Sequence, residues 1–201
     1  MFGSRFTKTS VFYGLNSLTD ITMSSEYAGI CGFDDTALDE LFSEHMEKIE
    51  KRNSIAQGEL RAGILKWYDG YSWDGKSRLF NPFSLLNFMR EGRFSSYWYQ
   101  SGAPKFLMDV LKKQPSIYAD LENIIIGDFE LEKSDLVNLP FIPLLFQTGY
   151  LTVAEFIDGK IKKPNSYRLR LPNAEVSWAF NRQIVETLTC TESSRGRHRQ
   201  K

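Results

Sequence analysis

Residues 150–176, YLTVAEFIDGKIKKPNSYRLRLPNAEV, decide the fold of the second half of the chain. Apolar and polar side chains alternate from Tyr150 to Phe156 and again from Ser166 to Leu171, which is the pattern of two half-buried strands. Between them Asp158-Gly159 begins a turn, because glycine adopts backbone angles that other residues avoid. Asn173 is placed to cap a final helix. The stretch therefore predicts a β-hairpin followed by a helix.

The residues before this stretch add a strand and two helices. Ile124-Ile125-Ile126 is short, apolar and β-branched, which favours a strand. A short helix is expected within 131–139, and the apolar run 140–147 indicates another helix, which Gly149 is placed to end. Together with the hairpin and the final helix, this order is compatible with a winged helix-turn-helix.

The first half of the chain has mostly helical spacing. Apolar residues predict one helix over 34–49 and a second helix that Ser54 opens as its N-cap. Asp74-Gly75 between aromatic flanks predicts a small hairpin. Asn81-Pro82 opens a third helix, because proline suits the first helical position, and a fourth begins near Pro104. The predicted fold class is mainly α with a small β component.

The composition is that of an ordinary globular protein. The 201 residues include 25 Lys and Arg and 25 Asp and Glu, so the formal net charge is zero, whereas a dedicated nucleic-acid binder usually has a basic excess. Cys31 and Cys190 lack the close spacing of a zinc site, which favours free thiols in a reducing cytosol. No stretch approaches the ~20 apolar residues of a membrane span. We therefore expect a cytoplasmic protein that has no membrane partner.

Seven stretches spread over most of the chain carry its most specific pattern. They are SRFTKTSVF (4–12), GLNSLTDI (14–21), WYDGY (67–71), NPFSLLN (81–87), SGAP (101–104), LLFQTGYLT (144–152) and YRLRLPNAEV (167–176). In this order they resemble the region that follows the ATPase core in bacterial AAA-ATPase-like proteins. Several long blocks in order are far more specific than one short motif.

The resemblance implies a P-loop ATPase of the signal-transduction type, in which a helical lid and a winged-helix module follow the nucleotide-binding core. Family members commonly continue into a nuclease-like domain of the PD-(D/E)XK type. For this chain it implies a remnant of the ATPase core edge at 1–25, with a strand at Val11–Tyr13. The lid is then expected at 26–122 and the winged-helix module at 123–190. The resemblance ends at about Glu192, and residues 191–201 are expected to be disordered.

The sequence has no phosphate-binding loop in the context that such a loop needs. The letters GYSWDGKS at 70–77 match G-x-x-x-x-G-K-[ST], but this stretch is the predicted hairpin and not a loop between a strand and a helix, where backbone amides and the lysine hold the phosphates of a nucleotide. The sequence gives no other match to this pattern. It also lacks a hydrophobic strand that ends in the acidic pair needed for Mg²⁺. ATP and Mg²⁺ are therefore implied only for an intact parent protein, and we expect no cofactor, catalytic residue or metal site in this chain. The expected partner is an ATPase core, in cis or in trans. A decaying gene product without activity is a further alternative.

Three residues are candidates for nucleotide binding once an intact core is present. Gly102 and Pro104 match the G-x-P element that in related ATPases brings the lid against adenine; an ordinary helix start is the alternative interpretation. Arg5 falls where the family has a strand that ends near the γ-phosphate, so it is a candidate sensor of nucleotide state. A surface arginine is the alternative, and Lys8 competes for the same role.

A group of cations on the predicted hairpin suggests a second function. Lys160, Lys162 and Lys163, with Arg168 and Arg170, are placed where a wing could contact phosphates. The competing hypothesis to the ATPase fragment is therefore a stand-alone nucleic-acid-binding module. Lysines are also common at a solvated hairpin tip, and we favour a winged helix that packs within its own protein.

Two further patterns are assigned no function. The aromatic runs at 67–71 and 97–99 could stack on bases, but aromatic residues at such junctions more often lie in a core, which is our prediction. His45 and His198 form no catalytic arrangement with a serine or cysteine that the sequence would indicate.

Overall fold

A computed structural model describes the following residues: 21–100, 121, 124–131, 141–161 and 163–196. The strand predicted at Val11–Tyr13 and the helix predicted near Pro104 lie outside these residues. The described part comprises a helical unit, residues 21–100, and a sheet unit, residues 121–196.

The helical unit contains one short 3₁₀ helix and five α-helices. They are the 3₁₀ helix Ser25–Tyr27, α1 (Thr36–Glu40), α2 (Ser43–Asn53), α3 (Gln57–Tyr68), α4 (Pro82–Glu91) and α5 (Tyr97–Gln100). Their apolar faces form one buried cluster, which comprises Ala37, Leu38, Phe42, Met46, Ile49, Leu60, Ile64, Tyr68, Phe80, Leu85, Phe88, Met89 and Tyr97.

The helix predicted over 34–49 is divided into α1 and α2. Asp34 serves as a cap, since its Oδ1 accepts a hydrogen bond from the Thr36 amide at 3.1 Å. Leu41 ends α1 and is exposed, whereas Phe42 turns into the core. Both side chains fit one helical stripe, but the break allows only Phe42 to be buried.

The prediction that Ser54 opens the next helix is wrong. Ser54 has a φ of 55°, and its amide donates to the Glu50 carbonyl, so it ends α2 in a left-handed conformation. Only Ile55 and Ala56 separate it from α3. Because the chain must reverse within these few residues, Ser54 is used to end one helix and cannot cap the next.

The start and end predicted for α4 are confirmed. Asn81 accepts a hydrogen bond from the Phe83 amide at 3.0 Å, and Pro82 occupies the first helical position. Gly92 ends the helix with a φ of 66°, which glycine adopts without strain. The buried face carries Leu85 and Phe88.

The sheet unit contains three antiparallel strands and three helices among its described residues. In chain order they are β1 (Ile124–Gly127), α6 (Asp128–Leu131), α7 (Phe141–Gln147), β2 (Thr152–Ile157), β3 (Ser166–Arg170) and α8 (Ala174–Gly196). The strands lie in the order β1–β3–β2. The predicted strands, hairpin and final helix are confirmed, as is the fold class of mainly α with a small β component.

The register of the sheet separates a buried face from an exposed one. Leu169 of β3 pairs with Ile124 on one side and with Val153 on the other, and Leu169 and Val153 are buried. On the opposite face Arg168 pairs with Ile125, which is exposed. The core of this unit therefore lies on one side of the sheet, where α8 also packs its buried residues.

Helix α8 continues to Gly196, and the disordered tail predicted for 191–201 stays a prediction. No proline or glycine interrupts this helix before Gly196. Extending an existing helix adds one hydrogen bond for each residue that is ordered, so a polar composition alone does not end it.

The two units do not have wholly separate cores. The buried cluster of the sheet unit consists of Tyr71, Leu79, Leu121, Ile126, Leu131, Leu145, Phe146, Tyr150, Leu151, Val153, Tyr167, Leu169, Val176 and Phe180. Tyr71 and Leu79 in this cluster come from the helical unit. The boundary predicted at 122/123 stays a prediction, but the packing crosses it.

Gly70 lies where the helical unit and the sheet unit approach each other closely. Its φ is +114°, and an added Cβ would collide with the carbonyl oxygen of Pro172. We expect Gly70→Ala to lower the free energy of unfolding by about 2 kcal/mol or more, because both the backbone angle and the contact oppose a side chain. Urea denaturation followed by circular dichroism measures this.

Gly58 provides the matched control. It lies in the first turn of α3, where an added Cβ meets nothing within 4 Å. Gly58→Ala should be neutral or stabilising by up to about 1 kcal/mol. Equal losses in the two variants would contradict the close packing at Gly70.

Candidate functional site: the joint between the two units

The two units meet at a joint formed by the hairpin 71–80, Trp98 and Glu175. The hairpin is held at its base by a pair of backbone hydrogen bonds between Tyr71 and Leu79, of 3.1 and 2.8 Å. At its tip Asp74 Oδ1 accepts from the Lys76 amide at 2.8 Å. The predicted hairpin is thus confirmed, although it forms a single bridge and not two full strands.

Ser72 connects this hairpin to the edge of the sheet. Its amide donates to Thr152 Oγ1 at 2.7 Å, and the same hydroxyl donates to the Ser72 carbonyl at 2.8 Å. The Val153 amide donates to that carbonyl as well, at 3.1 Å. Ser72 and Thr152 are both buried, so these bonds satisfy backbone groups that water does not reach.

Arg170 fastens the other side of the joint. One guanidinium nitrogen donates to the Gly70 carbonyl at 3.2 Å, and the other donates to the carbonyls of Leu171, at 3.2 Å, and Pro172, at 3.0 Å. Burial lowers the pKa of Arg170, and the nearby charge of Arg78 lowers it further. Arg170 is therefore engaged with backbone carbonyls inside the joint and does not face a phosphate.

Glu175 lies at the centre of the joint. It is in the first turn of α8 and is completely buried. Its Oε1 accepts from the Trp98 amide at 2.9 Å, and its own carbonyl accepts from the Ser96 hydroxyl at 3.3 Å. It thereby ties the last helix of the sheet unit to the start of α5 in the helical unit.

The electrostatics of Glu175 are unusual for a carboxyl group. Burial raises its pKa to about 7, although the Trp98 amide, the Ser84 hydroxyl and the Tyr97 amide act to lower it. Among the described residues Oε2 accepts no well-aligned hydrogen bond. A carboxylate in this position retains the desolvation cost that a neutral carboxyl group avoids.

The hairpin between β2 and β3 presents the predicted lysines. Lys160 and Lys163 are exposed at its tip, and Lys162 lies outside the described residues. The turn is built by polar caps, since Asp158 Oδ1 accepts from the Lys160 amide at 2.8 Å. Arg168 is paired with Glu155 at 3.0 Å, so it is less available to a phosphate than the sequence indicated.

Between β1 and β2, helix α7 has the sequence FIPLLFQ and contains no charged residue. Pro143, Leu145, Phe146 and Gln147 are buried. Phe146 also meets Trp73 of the hairpin edge-on, with ring centroids 5.6 Å apart. This helix is thus part of the core and of the joint.

The predicted nucleotide-binding residues Gly102, Pro104 and Arg5 lie outside the described residues, so the structure does not bring them together with other groups. The core assignment of the aromatic runs is confirmed for Tyr68 and Tyr97, which are buried in the helical unit.

Sequence reasoning missed Glu175 and Thr152. A signal for Glu175 was present, because it lies four residues before Ala179 and therefore on a face of α8 that is buried. For Thr152 the sequence gives no such signal, since its partner Ser72 is 80 positions away.

Within the described residues, no group of three or more His, Cys, Asp or Glu side chains could hold a metal ion. Across those same ranges, no helix has the length and apolar character needed to cross a membrane.

Comparison with known proteins gives one informative relative. The chain is 34% identical over 182 residues, or 90% of its length, to "Uncharacterized protein in vnfD 5'region" of Azotobacter chroococcum mcd 1. The chain spans only 33% of the length of that relative. No protein-family model matches the chain, and no solved structure matches it.

Thr152 is the residue on which to test the joint. Thr152→Val keeps the shape of the side chain but leaves the buried Ser72 amide and carbonyl without the hydroxyl. We expect a loss of about 1–3 kcal/mol in the free energy of unfolding, the usual cost of an unsatisfied buried group. Chemical denaturation measures it.

Thr148→Val is the matched control, because the Thr148 hydroxyl donates only to carbonyls of its own helical turn, at 2.7 and 3.4 Å. Its loss should be well below that of Thr152→Val. A Thr152→Val variant as stable as the control would show that the joint does not depend on this hydroxyl.

Proposed function

We propose that this chain is the lid and winged-helix regulatory part of an AAA-ATPase-like protein and does not hydrolyse ATP by itself. The observation that carries the proposal is the buried joint, through which a small antiparallel sheet and a helical unit are fastened as one body. A lid that responds to nucleotide has to transmit its position to the module behind it, and a joint of this kind provides the connection.

The order of elements supports a winged helix as the second module. A strand, two helical segments, a two-stranded hairpin and a final helix follow one another, and β3 lies between β1 and β2. In a winged helix the hairpin β2–β3 is the wing, and the helix before it, here α7, is the usual DNA-reading helix.

The character of α7 favours packing inside the protein over reading DNA. A recognition helix presents polar or basic side chains to base edges, whereas the four buried residues of α7 face the core. The wing module therefore serves best as a regulatory element that packs against its own ATPase, as proposed for the whole chain.

The Azotobacter relative supports the view that such a region works within a larger protein. The matched region corresponds to 33% of that relative, which leaves about two thirds for other domains. A nucleotide-binding core encoded in that remainder is part of the proposal.

The face on which the proposed core would dock is at the start of the helical unit. Four large apolar side chains there are exposed by 40% or more: Ile21, Tyr27, Ile30 and Leu41. Leu41 lines an open cleft of about 480 Å³ together with Phe33, Arg78 and other residues. The proposed core segment, residues 1–25, leads directly into this face, so the core is the occupant that chain connectivity favours.

The first test is calorimetric titration of the purified chain with MgATP. We expect no binding tighter than about 100 µM, or roughly 5.5 kcal/mol, because residues 70–77, which match the phosphate-loop pattern in letters, form a hairpin closed by the Tyr71–Leu79 bridge and do not lead directly into a helix. Mixing the chain with the part of the Azotobacter relative outside the matched region should give a complex that binds MgATP. Tight binding by the chain alone, or no complex, would count against the proposal.

A nucleic-acid-binding module is the second candidate, which the exposed Lys160 and Lys163 at the wing tip favour. It predicts duplex binding that falls steeply between about 50 and 200 mM salt and is lost in Lys160→Ala/Lys163→Ala. We expect fluorescence anisotropy to detect no such binding. Lys48→Ala/Lys51→Ala on α2 is the control for non-specific charge, and binding lost only in the wing variant would establish this alternative.

A further inference from the structure

Glu175 combines three features that rarely occur together in a structural residue. It is completely buried, it belongs to one unit while its hydrogen bond goes to the other, and one of its oxygens has no well-aligned donor among the described residues. A glutamine or a neutral carboxyl group would make the same contact with the Trp98 amide without burying a charge. The ionised form is therefore the poorer fit to the closed joint.

Among the described residues, the groups around Glu175 offer it no opposite charge. Tyr68 of α3 and Tyr71 of the hairpin have phenols that interact with its charge, and Tyr97 of α5 contributes its backbone amide. Burial raises the pKa of all three phenols, that of Tyr97 to about 12, so they remain neutral near pH 7. Helix α4 contributes only the uncharged Ser84, and no lysine or arginine in the described ranges forms an ion pair with Glu175.

We propose that Glu175 is a proton-operated latch: the joint between the helical unit and the sheet unit is closed when this carboxyl group is neutral and loosens when it is ionised. The proposal does not depend on the chain belonging to an ATPase, since it concerns the contact between the two units themselves.

The direction follows from linkage between protonation and opening. In the closed joint the pKa of Glu175 is about 7, against an ordinary value of 4.5. The closed state therefore binds the proton more tightly than an open, solvated state does. Its stability is fully present below pH 4.5 and is lost progressively as the pH rises through 7. Closure is thus favoured by acid, which is opposite to the behaviour of a carboxylate held in a salt bridge.

Amide hydrogen exchange at Trp98 measures the latch, because this amide is the donor to Glu175. In the full chain, after correction for the pH dependence of chemical exchange, the opening constant should rise roughly ten- to a hundred-fold between pH 5 and pH 8. In Glu175→Gln, which keeps an oxygen acceptor without a charge, it should stay constant over this range. At pH 8 the variant should be the more protected protein.

The control is Glu186→Gln, which removes an exposed carboxyl group on the same helix and should reproduce the wild-type pH profile. A purely structural role for Glu175 predicts a flat profile in the wild type and reduced protection in Glu175→Gln at every pH. Either result overturns the proposal. Titration of the Glu175 carboxyl carbon by NMR in the wild type decides the matter if the variant does not fold, and a midpoint below pH 5.5 would refute the latch.

Discussion

The exchange of hydrogen bonds between Ser72 and Thr152 is the constraint on which the rest of the structure depends. The backbone amide and carbonyl of Ser72 are buried at this point, and water does not reach them. They are satisfied by the Thr152 hydroxyl of β2, 80 positions later in the chain, and the carbonyl also accepts from the Val153 amide. Next to this contact, Tyr71 and Leu79 pack in the core of the sheet unit. Trp73 packs against Phe146. Arg170 donates a hydrogen bond to the carbonyl of Gly70. The helical unit therefore completes a core that the sheet unit cannot close with its own described residues.

This arrangement places the polar chemistry of the chain in an uncommon location. Polar groups with several hydrogen bonds lie between the two units, whereas Lys160 and Lys163 at the tip of the β2–β3 hairpin are exposed to solvent. A surface made for nucleic acid would reverse this distribution. Glu175 is buried and Arg170 is half-buried between the units, and α7 contains no charged residue. These features support the proposal of a regulatory module.

Local signals in the sequence were sufficient for much of the fold. Asn81 and Asn173 cap the helices they were expected to cap, because a side-chain acceptor three or fewer residues from a free amide acts without help from the rest of the protein.

The predictions that were wrong, and the residues that were missed, have the opposite cause. Leu41 satisfies helical spacing and Ser54 satisfies an N-cap pattern, yet the path of the chain requires a helix to end at each. Glu175 and Thr152 acquire their roles from partners more than 70 positions away, which no local pattern reveals. The resemblance to AAA-ATPase-like proteins is a statement of a different kind, and it stays a prediction.

The long separation between the partners of the joint has a consequence for how the protein is made. Every buried residue of the helical cluster lies between positions 37 and 97, so this unit can acquire its contacts while the ribosome is still adding the remainder. The edge strand β2 and the carboxyl group at 175 emerge later and find the hairpin already in place. Contacts of such high sequence separation are slow to form from an open chain. A preformed hairpin makes these contacts faster to form, because the sheet then docks on an existing template. Synthesis from the N-terminus produces the helical unit before the sheet unit, which is the order that this docking requires.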